Sequence, residues 1–282
     1  MTDVTLRERA DIVEVLESDA FVPPPAPQPE RRPVLALREA MARFSGWETH
    51  APRRAAVTAL IELVDVQRAR DLAARLTDRR LGTPEVDVLA RLATVVPTET
   101  LLGLLGIECD LDAALADVER VVEVVGRGAP ASDAADEATE RLLALAEHDH
   151  RDPVATVSIL YQSFDATAAL LATTLHASST GDRAVPAVPR TRRVASRSTT
   201  LGDRVVDAGT HVTLEIGQAD LQFGAGRHRC PGEQLARAIV DGMIGSIRSR
   251  GYTVDPASIA TDADGRPTML VLRRATISSS AG

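Results

Sequence analysis

The chain contains no lysine and no asparagine, and all 32 of its basic residues are arginines. Only 2% of its residues are aromatic, and its formal net charge is −8. An acidic balance of this kind argues against a general nucleic-acid-binding protein and against binding to an anionic membrane. With 282 residues, 44% of them hydrophobic, the chain is long enough to bury a sizeable core.

Cysteine is scarce as well, with Cys109 and Cys230 as its only representatives. Two cysteines cannot build a disulfide framework, so the composition fits a reducing compartment. The first residues lack the apolar centre of a secretory signal, and no stretch has the unbroken apolar length of a membrane span. We therefore expect a cytoplasmic protein that has neither a membrane nor a nucleic acid as partner.

Apolar residues recur at helical spacing over most of the chain. The central stretch 153–177 is apolar nearly all round and predicts a long buried helix, whereas the six prolines of residues 21–33 predict a loop. Asp65 stands where a helix N-cap is expected. Further helices are predicted over residues 9–21, 34–45, 48–64, 65–80, 86–96, 97–106, 110–126, 137–148 and 231–251.

A small β region is predicted over residues 187–216, where Val and Thr alternate with polar residues and Gly and Asp mark the turns. The last 30 residues predict a hairpin. No internal repeat is visible. The expected fold is mainly α with a small β region, built as a single domain over residues 1–282.

Cys230 lies in the stretch FGAGRHRCPG, residues 223–232. Pro231 is predicted to open the following helix, which would place Cys230 at a helix N-terminus, where dipole and free amides favour a thiolate. One cysteine cannot hold a zinc site or an iron–sulfur cluster, but a single axial thiolate suits haem iron. A buried, inert cysteine in a glycine-rich turn is the alternative.

The longer stretch FGAGRHRCPGEQLAR resembles the cysteine-ligand loop and following helix of the cytochrome P450 family. The resemblance implies a reduced cytochrome P450-like haem-thiolate fold that holds haem b, iron protoporphyrin IX. Cys230 would be the proximal ligand of the iron, and Phe223 would pack beside the sulfur. Gly226 and Gly232 would permit the loop, and His228 would reach a haem propionate.

Two further stretches are similar to propionate-binding segments of the family. In FSGWETHAPRR, the spacing of His50 and Arg54 places both on one face of a helix, and the resemblance implies that both bind propionate. In the β region, Arg193 is the best match to the arginine that pairs with the other propionate, and Arg192 is the second choice. Each of these residues taken alone could be a solvated surface residue.

The stretch QSFDAT in the central helix is similar to the family signature in which an acid and a hydroxyl relay protons during oxygen activation. Asp165 matches the acid, but Ala166 stands where the relay threonine is expected and Thr167 follows one residue later. One residue rotates a helical side chain by about 100°. An ion pair with a basic partner is the alternative role for Asp165.

Other parts of the family pattern are missing, which implies a shortened, divergent member. No Glu-x-x-Arg pair lies between the central helix and Arg193, and the long segment that normally precedes the cysteine loop is absent. We also expect the N-terminal β segment to be missing. By analogy with the family, residues 21–33 and 97–127 would line the substrate entrance.

The resemblance implies a haem-thiolate oxidoreductase, of monooxygenase type, that oxidises a small organic molecule in a biosynthetic pathway of secondary metabolism. A ferredoxin is the possible redox partner, at a basic patch composed of Arg53, Arg227, Arg229 and Arg237. Two alternatives stay open. One is a degenerate helper or scaffold for a partner enzyme, and the other is a peroxide-driven peroxygenase.

The remaining candidate ligands have simpler interpretations. The run of His148, Asp149 and His150 is interpreted as a polar helix end and not as a metal site, and Cys109 as a core or loop residue.

Overall fold

The computed structural model describes residues 3–25, 32–147 and 151–275. The middle of the proline-rich stretch, residues 26–31, lies outside the described residues, as does the run His148–His150. Residues 21–22 of the predicted loop form a short strand and residues 23–25 have no regular structure.

Helices make up most of the described chain, which confirms the predicted class. The central helix is confirmed over its whole predicted length and runs somewhat further at its C-terminal end. The helices are α1 (Arg9–Glu17), α2 (Pro33–Ala40), α3 (Trp47–Glu62), α4 (Val66–Arg80), α5 (Val95–Leu104), α6 (Leu111–Val125), α7 (Asp133–Ala146), α8 (Pro153–Thr180) and α9 (Glu233–Ser249).

The strands are short and come mostly from the two ends of the chain and from the predicted β region. They are β1 (Asp3–Leu6), β2 (Phe21–Val22), β3 (Glu85–Asp87), β4 (Thr191–Ala195), β5 (Thr199–Leu201), β6 (Arg204–Val206), β7 (His211–Leu214), β8 (Tyr252–Val254), β9 (Ala260–Thr261), β10 (Pro267–Met269) and β11 (Val271–Arg274).

The expectation that the N-terminal β segment is missing is wrong. β1 runs parallel to β7, with Asp3 opposite His211, and β2 runs antiparallel to β4. Together they complete a four-stranded sheet of order β1-β7-β4-β2. Strands of four and two residues are too short to show alternation, and their partners lie far along the chain, so the pattern could not reveal them.

Two predicted helices are interrupted in the structure. The predicted helix over 34–45 breaks at Met41, whose backbone is extended, and continues as a 3₁₀ turn over Ala42–Phe44. The Ser45 hydroxyl donates to the Met41 carbonyl at 2.9 Å and satisfies the backbone at the break. The predicted helix over 86–96 begins instead with β3, which pairs with the distant β11.

Side-chain caps fix where several helices begin. Asp65 accepts from the Arg68 N–H and caps α4, as predicted. Asp110, Ser132 and Asp152 cap α6, α7 and α8 in the same way. Each such cap stabilises its helix by about 1 kcal/mol, and the Asp152 cap is followed by Pro153 in the first turn of the central helix.

The core consists of two clusters. The larger one surrounds α8, whose length and apolar composition would suffice to cross a membrane, but 67% of its most apolar window is buried inside the protein. The smaller cluster joins α1 to the sheet through residues such as Ile12, Val15 and Leu214. It positions the end of α1 against the cysteine loop, where a Cβ on Gly226 would lie 2.9 Å from Glu17 Cγ.

The cysteine-loop helix α9 packs very closely on α4. A Cβ at Gly242 would lie 2.2 Å from the Arg70 carbonyl oxygen, whereas a Cβ at Gly245, one turn further along, would meet nothing within 4 Å. Only glycine permits this approach of the two backbones. The contact therefore sets the distance between α9 and the helical core.

We predict that Gly242→Ala destabilises the protein by roughly 2–3 kcal/mol, because the new methyl group must push α4 and α9 apart. Gly245→Ala is the matched control and should stabilise by about 0.5–1 kcal/mol through helix propensity alone. Urea denaturation of both variants measures the difference. Equal effects of the two substitutions would contradict the close packing.

Candidate functional site

Cys230 lies in a tight loop between the 3₁₀ turn Gly226–His228 and α9. Its N–H donates to the Phe223 carbonyl at 2.8 Å, which closes the loop. Gly224 and Gly226 have φ values of 73° and 60°, a region that favours glycine. The loop geometry thus requires the glycines that the sequence places there.

The helix after Cys230 begins later than predicted. Pro231 lies in a turn, Gly232 is the N-cap, and the first helical residue is Glu233. Pro231 has no N–H to offer the thiol, but the Gly232 N–H forms a hydrogen bond with it. The N-terminus of α9 therefore acts on Cys230 through one backbone amide and not through direct continuation of the helix.

Burial raises the pKa of the Cys230 thiol, against the opposing effects of the Gly232 N–H and the Arg54 cation. The helix N-terminus favours a thiolate through the Gly232 N–H, as predicted, but desolvation is the larger effect and sets the net direction. A bound metal ion overcomes this cost, since coordination deprotonates a thiol. The surroundings of Cys230 suit a metal ligand better than a free nucleophile.

Three separate elements bring imidazoles and guanidinium groups together beside Cys230. We call this set the cationic cluster. The rings of His50 and His228 lie 4.1 Å apart between centroids, at 51° to each other, and both His50 and Arg193 are buried. The members of the cluster are His50 and Arg54 from α3, Arg193 from β4, and Arg227 and His228 from the cysteine loop.

Arg193 is the most deeply buried cation of the cluster, with 6% of its surface exposed. It donates to the Thr191 hydroxyl at 3.2 Å and to the Arg192 carbonyl at 2.8 Å, but no carboxylate of the described residues pairs with it. Burial, together with the charges of Arg43 and Arg227, lowers the pKa of Arg193 to about 10. Arg192, the second candidate, is exposed on the opposite side of β4.

The two histidines experience the same positive field. Burial, followed by the charge of Arg193, lowers the pKa of His228 to about 3. The pKa of His50 is also lowered, by burial first and then by Arg54, Arg227 and Arg193. Both imidazoles are thus neutral near pH 7 in this structure. A cluster with this charge and no described acid is built to receive an anion.

Aromatic rings cover two arginines around the loop. The Arg227 guanidinium lies 3.2 Å from the centroid of Trp47, the only tryptophan of the chain, and its Nη2 also donates to the Glu17 carbonyl. The Arg237 guanidinium lies 4.6 Å from the centroid of Phe223, which is partly buried against the helical core. Such contacts hold a guanidinium in place without neutralising its charge.

On α8, the predicted acid Asp165 forms an ion pair. Arg127 donates to both carboxylate oxygens of Asp165, at 2.7 and 3.2 Å, and the Asp165 side chain is 49% exposed. The structure therefore places Asp165 in the alternative role considered above, as an acid held by a basic partner. Its predicted role as a catalytic acid stays a prediction.

The hydroxyl predicted to assist Asp165 belongs to a different contact. Thr167 is buried, and its Oγ1 lies 3.2 Å from Ser163 Oγ one turn earlier. Gln162, Ser163, Ala166 and Ala169 are only partly buried, and at about 100° per residue they share one broad face of α8. This face, centred on Ala166, is only partly covered by protein along the middle of the central helix.

Two cavities lie elsewhere in the described residues. One, of about 170 Å³, is lined by Arg53, Val57, Ala155 and other residues near the N-terminus of α8. The other, of about 280 Å³, lies between α4 and α9 around Arg70 and Ser246. Cys230, which is an exposed residue, lines neither of them. The residue is exposed at the protein surface, while the neighbouring protein still desolvates its thiol.

The predicted basic patch is partly neutralised. Arg229 and Arg237 both pair with Glu233, at 3.3 and 3.0 Å, and Arg53 donates to the Ser45 hydroxyl at 2.7 Å. Arg227 belongs to the cationic cluster. Sequence reasoning missed the Trp47–Arg227 contact and the influence of Arg43 on the site. Trp47 lies three residues before His50 on the same helix, which could have indicated the former.

The cysteine loop contacts α3, the helix that carries His50 and Arg54, and α3 packs against the long central helix. This arrangement is the cytochrome P450 fold. No family model and no curated protein matches the sequence. Many solved structures match this chain in fold. Three of them are 14%, 18% and 16% identical to it in sequence.

The first of these is P450BioI in complex with hexadec-9Z-enoic acid ligated acyl carrier protein (TM-score 0.77, 14% identity), with 95% of this chain and 91% of that chain covered. A thermophilic cytochrome P450 from Sulfolobus tokodaii gives 0.71 and 18%, with 95% and 93% covered. CYP109E1 from Bacillus megaterium in complex with corticosterone gives 0.72 and 16%, with 96% and 92% covered.

We predict that Arg193→Met has opposite effects on the haem-free protein and on haem binding. Removal of a buried, unpaired cation should stabilise the haem-free protein by about 1–2 kcal/mol. Haem affinity should fall by about tenfold or more, because a charge-assisted bond to a propionate is lost. Thermal unfolding and haem titration measure the two effects, with Arg192→Met as the exposed neighbouring control. A loss of stability without loss of haem affinity would contradict the assignment.

Proposed function

We propose that this protein is a haem-thiolate oxidoreductase that carries out monooxygenase-type oxidation of a small organic molecule. The observation that carries the proposal is the cationic cluster. Two neutral imidazoles and three arginines surround one side of Cys230, with no carboxylate among the described residues to neutralise them. A group with two carboxylates and an iron atom satisfies both the cluster and the thiol.

The donor chemistry fits haem b at this end of the site. Cys230 would ligate the iron, and His50, Arg54, Arg193 and His228 would bind the propionates. Arg193 is well suited, because its buried guanidinium meets little competition from water. Once bound, the haem supplies the redox chemistry that activates an oxidant.

The glycines and Phe223 complete the proximal side of the proposed site. Gly226 allows the loop to pass close to the end of α1, and the N–H of Gly232 bonds to the sulfur and moderates its electron density. The carbonyl of Phe223 accepts from the Cys230 N–H and fixes the backbone at the cysteine. On the opposite side, the small side chain of Ala166 would leave room at a partly covered face of α8.

Proton delivery is assigned to the polar residues of α8. The hydroxyl pair of Ser163 and Thr167 can pass a proton along the helix, since the two oxygens are 3.2 Å apart. Asp165 is rotated by roughly 160–200° around α8 from both hydroxyls, so it would act separately from this pair, and only after release from Arg127. Its half-exposed carboxylate is compatible with such a release.

The proposed electron source is inferred from the charges near the cysteine loop and from the residues of α8. Arg53 and Arg227 keep their charge on the side of the cysteine loop, and a small acidic ferredoxin is the proposed partner there. Peroxide is the second candidate, since Ala166 lacks the relay hydroxyl and Asp165 is bound to Arg127. Turnover with hydrogen peroxide alone, compared with ferredoxin and oxygen, distinguishes them.

A helper or scaffold role is the competing function, and two observations favour it. Cys230 lines neither of the two cavities described above, and residues 181–190 connect α8 to β4 without a helix that could carry the missing Glu-x-x-Arg pair. A purified protein that stays colourless with added haem, yet raises the activity of a partner enzyme, would establish this role.

The setting of the reaction is also part of the proposal. We infer a single cytoplasmic domain over residues 1–282 that serves a biosynthetic pathway. The support for the pathway is the fold's likeness to proteins such as HmtT, which is involved in himastatin biosynthesis, and to P450-like monooxygenases involved in microbial secondary metabolism.

We predict that the haem-loaded, reduced protein shows a thiolate-type Soret shift with carbon monoxide and that Cys230→Ala abolishes it. The reason is that a thiolate ligand alters the electronic state of the haem iron in a way that no other side chain does. Cys109→Ala is the matched control, because Cys109 is the chain's other free cysteine. Haem that binds without this shift, or a shift that survives Cys230→Ala, would overturn the proposal.

A further inference from the structure

A second group of cations lies beside the cationic cluster and surrounds one aromatic ring. The Arg38 guanidinium lies 4.3 Å from the centroid of Phe44, and that of Arg43 lies 5.8 Å from it. The ring of Tyr161, from α8, is 6.3 Å from the same ring. We call Arg38, Arg43, Phe44 and Tyr161 the aromatic–arginine site.

Neither arginine of the aromatic–arginine site has a carboxylate partner among the described residues. Arg38 donates to the Pro24 carbonyl at 2.9 Å, and burial lowers its pKa. Asp165 acts on Tyr161 electrostatically, but its carboxylate is bound by Arg127. The only acid shown to influence the Arg38 guanidinium is Glu39, and it does so without an ion pair.

Arg43 connects the aromatic–arginine site to Cys230. Its positive charge contributes to the lowered pKa of Arg193. It also opposes the effect of burial, which raises the pKa values of the Cys230 thiol and of Tyr161 on the central helix. Arg43 is thus within electrostatic reach of the cationic cluster, of Cys230 and of Tyr161 on α8. A molecule bound at the aromatic–arginine site would be within the same reach of the proposed haem site.

A count of charges shows that haem alone would not neutralise this region. Two propionates bring two negative charges. Against them stand five guanidinium groups that form no ion pair with a described carboxylate, although Asp19 acts on Arg227 at longer range; they are Arg38, Arg43, Arg54, Arg193 and Arg227. Three positive charges are left over, and two of them belong to the aromatic–arginine site. The region therefore favours a further anion.

We infer that the substrate is an organic acid whose carboxylate binds Arg38 and Arg43 and whose apolar part contacts Phe44 and Tyr161. This inference rests on the proposed function for the role of the bound acid as substrate. Arg38 lies before the break at Met41 and Arg43 after it, and the contact with the Phe44 ring holds the Arg38 guanidinium in position before the ligand arrives. Neutral and cationic molecules would leave the arginines unpaired and bind less well.

Calorimetric titration of the haem-loaded protein with octanoate and with 1-octanol tests the inference, because the two probes share a chain length and differ in charge. Octanoate should bind at least tenfold more tightly than 1-octanol. In the double variant Arg38→Gln/Arg43→Gln this preference should disappear, while 1-octanol binding stays unchanged. Arg204→Gln removes one exposed charge outside the site and should keep the preference.

The single variant Arg43→Gln changes an exposed residue and should therefore fold normally. In this variant the ratio of the octanoate affinity to the 1-octanol affinity should fall at least threefold. The same titrations on the haem-free protein separate the inference from the proposed function. If haem does not bind, the proposed function fails. The aromatic–arginine site would still be supported if the haem-free protein prefers octanoate, Arg38→Gln/Arg43→Gln removes that preference, and Arg193→Met keeps it.

Two results would overturn the inference. The first is equal affinity of the haem-loaded protein for octanoate and 1-octanol. The second is a preference for octanoate that survives Arg38→Gln/Arg43→Gln but disappears in Arg193→Met, which would assign anion binding to the cationic cluster.

Discussion

The buried guanidinium of Arg193 is the feature on which the site depends. It lies in the middle of a sheet, 6% exposed, with two hydrogen bonds to its own strand and no carboxylate of the described residues beside it. Burial of an unpaired charge costs several kcal/mol. The fold tolerates this cost and surrounds Arg193 with further positive charge, which is reasonable only if an anion completes the site.

The rest of the structure holds this charge next to Cys230. β1 and β2 extend the sheet that carries Arg193, and the end of α1 packs against Gly226 in the cysteine loop. The close contact of α9 with α4 fixes the other side of the loop. A part of the stability of the haem-free protein is thereby exchanged for affinity towards a ligand, a common compromise at functional sites.

The sequence predicted those parts of the molecule that local pattern determines. The central helix and the Asp65 cap follow from residues close together in the chain, and the cysteine loop from a motif that constrains backbone and chemistry at once. The N-terminal strands were missed because their partners lie about 200 residues away. The identity of Arg127 as the partner of Asp165 and the influence of Arg43 were missed for the same reason, since they depend on tertiary contacts that no periodicity encodes.

The central claim is that the cationic cluster recognises the carboxylates of haem. The most direct measurement compares the affinity of the haem-free protein for haem and for its dimethyl ester, in which both propionates are masked but the iron and the ring are unchanged. We expect the ester to bind at least a hundredfold more weakly, because it leaves Arg193 and its neighbours unpaired. Equal affinity for the two compounds would contradict the account.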